Sequence, residues 1–246
     1  MKRFVALLAA ALLVGPASAD IAGFEPLPEG TQRQDVYFRL NSDGTLESTT
    51  PEQSRHLPLV YSDLASSGFF FPAPAGTGPV HILSDDLHTT AGGPFLLGDF
   101  SFGYFNPAPA PWTAVVSWYA DDPADSISPP STGGAAPLLG SVVLPGLPPG
   151  FIVAHIDLTV PIPLTPDNWM EVDYTSAPGA GSVITGDPAG PVGFSDDLFG
   201  WDGPPPGLYF FGGVPYADFM LEEGLIPEPA SLALLALGGL FAIRRR

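Results

Sequence analysis

Aspartates are the residues in this chain best placed to do chemistry. In "YADDPADS", Asp121, Asp122 and Asp125 follow a strongly apolar stretch and sit among turn-forming residues. Hard cations take several oxygens from a flexible loop, and clustered aspartates supply them, so calcium is the candidate cofactor and these three are its candidate ligands. Asp196, Asp197 and Asp202 form a second acidic group, and Asp85 with Asp86 a third. None has the spacing of an EF-hand loop. The competing reading is solvated turn aspartates on an acidic surface.

Other pairs share one face of a strand because they are two residues apart. His155 and Asp157 could act as a base and its orienter, but would need a nucleophile, and the sequence has no Gly-x-Ser-x-Gly elbow. Glu171 and Asp173 pair carboxylates in the way glycoside hydrolysis requires, though an acidic chain produces such pairs by chance. His81 and His88 flank Asp85 and Asp86 without a third convincing zinc ligand. No residue stands out as a catalyst, and the expectation is a protein that is not an enzyme. Of the four tryptophans, Trp201 in "FGWDGPPPG" has the most loop-like setting and is the candidate for stacking against a sugar. Trp112, Trp118 and Trp169 lie in apolar runs and read as core.

Composition narrows the partners. Residues 20–226 hold 25 acids against Arg33, Arg39 and Arg55, a net charge of −22. Such a surface repels phosphate backbones and excludes nucleic acid. It suits divalent cations and an extracellular setting. The absence of cysteine excludes disulfides and thiolate metal sites.

Both ends read as addresses. Met1-Lys2-Arg3 precedes the apolar run 4–14 and then Ala17-Ser18-Ala19, the three parts of a secretory signal peptide. Small residues at Ala17 and Ala19 suit signal peptidase, so residues 1–19 are expected to be removed, leaving Asp20 first. At the other end, the apolar run 230–243 has 14 residues. As a helix it would be roughly 21 Å long against a hydrocarbon core near 30 Å, too short for a comfortable permanent span. Arg244, Arg245 and Arg246 would stay cytoplasmic.

"PEPASLALLALGGLFAIRRR", from Pro227-Glu228-Pro229 to the terminal arginines, resembles the PEP-CTERM sorting signal. The resemblance implies recognition by exosortase, a membrane-embedded cysteine protease-transpeptidase. It further implies cleavage near Pro227-Glu228-Pro229 and delivery to the cell surface or extracellular polysaccharide matrix, with the helix as a transient membrane anchor. It covers about 20 residues and leaves the activity of the rest open.

Between the ends, at residues 20–225, short apolar runs alternate with Gly, Pro, Asp and Asn. Strands are expected at 34–40, 57–63, 79–83, 95–105, 112–120, 138–144, 151–160, 168–174, 208–213 and 216–222, with a hairpin turn at 41–44. This predicts an all-β, antiparallel, jelly-roll-like β-sandwich, flanked by a short N-terminal signal helix and a short C-terminal hydrophobic helix at 226–246. Phe100, Phe102 and Tyr104 share a face and are the expected core stripe. In the run 112–120 either face could be buried. "SDDL" occurs at 84–87 and again at 195–198, each followed by Gly-Pro and an apolar run. The repeat suggests either adjacent edge elements of two sheets or two similar turns. The leading expectation is an exported surface or matrix protein with a structural or adhesive role. The alternative is a calcium-stabilised carbohydrate-binding module facing extracellular polysaccharide.

Overall fold

The computed structural model describes residues 25–54, 57–72, 82–121, 127–185, 192–195, 198–202, 206–210 and 218–227. Fifteen strands run through them: β1 (Glu25–Pro26), β2 (Gln34–Leu40), β3 (Leu46–Thr49), β4 (Leu59–Asp63), β5 (Ser66–Pro72), β6 (Ile82–His88), β7 (Phe95–Asn106), β8 (Trp112–Ala120), β9 (Leu138–Leu147), β10 (Gly150–Leu164), β11 (Asp167–Asp173), β12 (Gly181–Thr185), β13 (Leu198–Trp201), β14 (Gly207–Phe210) and β15 (Leu221–Ile226). A single 3₁₀ turn, Pro130–Thr132, interrupts the described strands.

The first sheet has nine strands. Its path is β1-β5-β12-β7-β10-β2-β3, with β15 beside β7 and β4 beyond β15. The second has six, ordered β14-β13-β6-β11-β8-β9. Two packed sheets were expected. The antiparallel expectation needs one correction, because β2 pairs with β10 in parallel. A chain reaching β10 from more than a hundred residues away is not bound by the geometry of a tight hairpin. The jelly-roll winding is not evident in this strand order. The N-terminal signal helix, the C-terminal hydrophobic helix, Ala17, Ala19, Glu228, Pro229 and Arg244 to Arg246 lie outside the described residues. Among the described residues no helix is long and apolar enough to cross a membrane.

The period of two in β7 places Phe100, Phe102 and Tyr104 in the interior, each 1 % exposed or less. In β8 the buried face is Ala114, Val116 and Trp118, while Val115 and Tyr119 are partly exposed. Aromatic contacts join the sheets. Phe100 meets Trp118 edge-on at 4.9 Å, Tyr104 meets Trp112 at 5.1 Å, and Phe71 meets Phe199 at 5.0 Å. Such pairs add to the area they bury, about 0.5 to 1.5 kcal/mol each. Glycine is required where strands crowd. A Cβ on Gly181 would lie 1.9 Å from the Phe71 carbonyl oxygen.

Several strands depart from the sequence reading: β1, β5, β12 and β13 form where none was expected, and others are shifted. Residues 79–81 of the expected run 79–83 lie outside the described residues; β6 continues from Ile82 to His88 and carries buried Asp85 and Asp86 in the middle of a strand. Residues 216 and 217 of the expected run 216–222 lie outside the described residues, and the last described strand, β15, begins at Leu221. Trp201 ends β13 and does not lie in a loop. Asp196 and Asp197 of the second "SDDL" lie outside the described residues, but the strand that follows it joins the sheet of the first. β6 and β13 pair antiparallel with Phe199 opposite Asp85.

Candidate functional site

The outer face of the nine-stranded sheet carries two lateral rows of polar side chains. Alternation forces this. With Phe100, Phe102, Ile156 and Leu158 turned inward, Asp99, Ser101, His155 and Asp157 must turn outward. Strand register then aligns Tyr37, His155, Ser101, Glu222 and Ser62 across five neighbouring strands. The adjoining row is Arg39, Asp157, Asp99 and Gly224. Gly224 belongs there for steric reasons, since a Cβ at that position would meet Asp99 Oδ1 at 1.8 Å.

Hydrogen bonds run along the first row. His155 Nδ1 lies 2.8 Å from Ser101 Oγ, and Ser101 Oγ lies 3.2 Å from Glu222 Oε2. Ser62 Oγ donates to Glu222 Oε1 at 2.7 Å. On its other side, His155 Nε2 lies 3.1 Å from Asp35 Oδ1. The imidazole stacks on Tyr37 with ring centres 4.5 Å apart and planes 12° apart. Arg33 grips Asp35 through Nη2 at 2.6 Å. Burial works to raise the Asp35 carboxyl, but the hydrogen bonds and charges of Arg33 and His155 outweigh it and hold Asp35 below the usual carboxylate range. In the second row, Ser54 Oγ donates to Asp157 Oδ1 at 3.0 Å and Arg39 stands 4.0 Å from Asp157 Oδ2.

The sequence marked His155 and Asp157 as a pair and asked for a nucleophile. The structure separates them: His155 turns to Ser101 and Asp35, and Asp157 to Ser54 and Arg39. The resulting Ser101–His155–Asp35 chain has the composition of a hydrolytic relay, drawn from three strands. It lacks the setting for acyl transfer. Ser101 is 5 % exposed and sits mid-strand, with β10 on one side and β15 on the other. The backbone amides around it are committed to those ladders and cannot form an oxyanion hole. The arrangement suits binding. Beside it opens a cavity of about 320 Å³, lined by Tyr37, Leu57, Asp99, His155, Asp157 and Glu222 among others. That size lies at the lower end for ligand pockets. The carboxylates accept hydrogen bonds and the Tyr37–His155 stack offers a flat wall.

The remaining candidates are placed as follows. Asp121 is partly buried, and its backbone N–H donates to the Asp167 carbonyl at 3.2 Å. Asp122, Asp125, Asp196, Asp197 and His81 lie outside the described residues. Asp202 Oδ1 accepts the Ile82 N–H at 2.9 Å. Glu171 is buried beneath the 3₁₀ turn, where Ser131 and Tyr119 donate to it. Burial pushes its carboxyl up to about 7. Asp173 accepts the Thr175 N–H at 2.7 Å, and its charge adds to the burial that raises the Glu171 carboxyl. His88 bridges Asp86 at 3.3 Å and Asp167 at 2.8 Å. Trp201 is partly buried, packs against the core and meets Phe71 edge-on at 6.3 Å. Among the described residues, no three acidic or histidine side chains already stand as a group able to hold a metal ion.

The PEP-CTERM protein-sorting motif matches residues 225–246. No curated protein and no solved structure matches the chain. The match begins inside β15, whose last residue is Ile226, and Pro227 follows directly.

Proposed function

We propose that this exported, exosortase-sorted protein is a structural or adhesive component of the cell surface or extracellular matrix. One observation carries the reading. The sorting motif continues from β15, which lies between β7 and β4 in the nine-stranded sheet. Body and tail therefore share a strand. Tension on a surface-tethered C-terminus would load the ladders of β15 in shear, spreading force over many hydrogen bonds. Cleavage near Pro227-Glu228-Pro229 would leave β15 whole. Upstream, signal peptidase would release the chain after Ala19. The test is genetic: a strain lacking the protein should lose cohesion of its matrix or attachment to surfaces. Unchanged cohesion and attachment would overturn the reading.

The cavity on the outer sheet face favours a second reading, a carbohydrate-binding module. Asp99, Asp157 and Glu222 offer acceptors for sugar hydroxyls, and the Tyr37–His155 stack offers a ring surface. A body this acidic repels uronate and sulfate groups, so the fitting ligand is a neutral extracellular polysaccharide. Binding of neutral glycans that weakens at least tenfold in Glu222→Gln would support it. Equal binding by Glu222→Gln and the unaltered chain would remove it.

A further inference from the structure

The end of the sandwich from which the tail departs carries an apolar patch. β4, β15 and β7 lie side by side there, with Leu59 across from Gly224 and Leu96 across from Ile226. Gly98 is skipped in the ladder between β7 and β15, which reverses the alternation of β7 at that point. Leu97 is therefore wholly buried, while Leu96 turns outward and is 39 % exposed. The side chains of Leu57 and Ile226 close over Gly98, where a Cβ would collide with both. Leu59 stands beside Leu57 at the wall of the same cavity. Val160 projects from the irregular stretch of β10 between Asp157 and Ile162. Leu138 opens β9 at the same end, since Gly140 packs against Ile162. Leu59, Leu96, Leu138 and Val160 are four of the seven large apolar side chains exposed among the described residues. Single exposed apolar residues are ordinary, but a cluster of them marks a contact surface.

Chain length says what covers this patch. β15 ends at Ile226, and the apolar run of the sorting motif begins at Ala230. Whatever path the chain takes between them, four residue steps reach at most about 14 Å. Headgroups occupy roughly 5 to 8 Å on each side of the hydrocarbon core. Once the apolar run enters a bilayer, the Leu96 end of the sandwich stands within about 10 Å of the headgroups, and any slant of the connection brings it closer. So short a tether makes the encounter intramolecular and favours even a weak contact. The acidity of the body opposes anionic lipid, so the contact rests on apolar burial and on the tether. Asp43, in the hairpin beside Val160, and Asp167, at the start of β11, keep it shallow.

We infer that Leu57, Leu59, Leu96 and Ile226, with Val160 and Leu138 at the rim, rest on the headgroup layer of the membrane while the sorting tail is inserted. The inference rests on the reading of the run 230–243 as a membrane segment, and it does not depend on the sugar-binding reading. Seating the patch holds Pro227-Glu228-Pro229 between the sheet and the headgroups, within reach of a membrane-embedded protease. Cleavage there frees the patch together with the body.

The chain has no cysteine, so a single introduced cysteine can carry an environment-sensitive fluorophore. The test uses the chain from Asp20 to Arg246 in phosphatidylcholine vesicles, shown to be folded by circular dichroism. Probes are placed through Leu96→Cys at the patch, Ala110→Cys in the turn between β7 and β8 at the opposite end, and Ala236→Cys in the tail. A nitroxide on the lipid acyl chain should quench the tail probe. A nitroxide on the headgroup should quench the probe at position 96 severalfold more than the one at position 110. Leu59→Asp should reduce quenching at position 96 and leave that at position 236 unchanged. A quenched tail with positions 96 and 110 quenched alike would overturn the inference and leave the tail reading standing. An unquenched tail would overturn both. A probe at position 96 that shifts to the blue without quenching by lipid would mean that a second copy covers the patch, and would overturn the inference as well.

Discussion

The Trp118 indole N–H donates a 2.9 Å hydrogen bond to Glu223 Oε1, joining β8 of the six-stranded sheet to β15 of the nine-stranded one. Both side chains are wholly buried. Asn168 Nδ2 approaches Glu223 Oε2 at 3.3 Å. These donors favour the ionised carboxyl, but burial outweighs them and pushes Glu223 up to about 7.

That shift sets a pH dependence. Between the ordinary value of 4.5 and about 7, the folded chain holds a proton that the unfolded chain has released. Stability therefore falls as pH rises through this window and levels off above it, by about 3 kcal/mol if Glu223 acts alone. Glu223→Gln removes the titration. Its Oε1 can still accept from Trp118, and its amide can face Asn168 Oδ1, a buried atom without a partner, once the Asn168 amide is turned. The variant should match the unaltered chain near pH 5 and exceed it above pH 7 in urea unfolding. A loss of stability at pH 8 would contradict this account.

Ser101→Ala tests the polar row from the other direction. It removes the link between His155 and Glu222 but leaves Glu222 its bond from Ser62. The site borders an open cavity, so water can replace part of what is lost. The expected cost is about 1 kcal/mol, read from denaturant unfolding with an unchanged slope. A loss several times larger would mean that the row is a structural keystone.

Two glycines should respond to alanine for different reasons. In Gly181→Ala the new Cβ would meet the Phe71 carbonyl at 1.9 Å, and backbone must move to admit it. The pairing of β5 with β12 should loosen, costing about 3 kcal/mol or more. Gly44, in the hairpin between β2 and β3, has open space around it but a φ of +83°. Gly44→Ala should cost only about 1 kcal/mol, from backbone strain alone. Melting temperatures of the two variants check the ranking.

Processing predicts a mass. Chain released naturally from the cell surface should begin at Asp20 and lack Arg244 to Arg246, which intact mass spectrometry reads directly. A mass equal to residues 20–246 would mean that the tail is retained.

Much of the fold was legible because strands obey a local rule. The stripe of Phe100, Phe102 and Tyr104, the hairpin at 41–44 and the limits of β2 and β8 all follow from alternation and turn chemistry. β6 escaped because "ILSDDLH" breaks that rule. Its aspartates are buried, and acids in sequence read as loop. Trp201 misled for a related reason: glycine and prolines surround it, yet the residue itself closes a strand against Phe71.

Sequence alone determined the alternation of strands such as β7 and β8, the acidity of the body and the sorting motif at residues 225–246, because each depends on residues adjacent in the chain. Only the tertiary structure decided who meets whom. His155 finds Ser101 across 54 positions and Asp35 across 120, and Asp85 finds Ser195 across 110. Register between distant strands fixes those meetings. It is set by the packing of whole inward faces such as Phe100 against Trp118, and no local spacing in the chain encodes it.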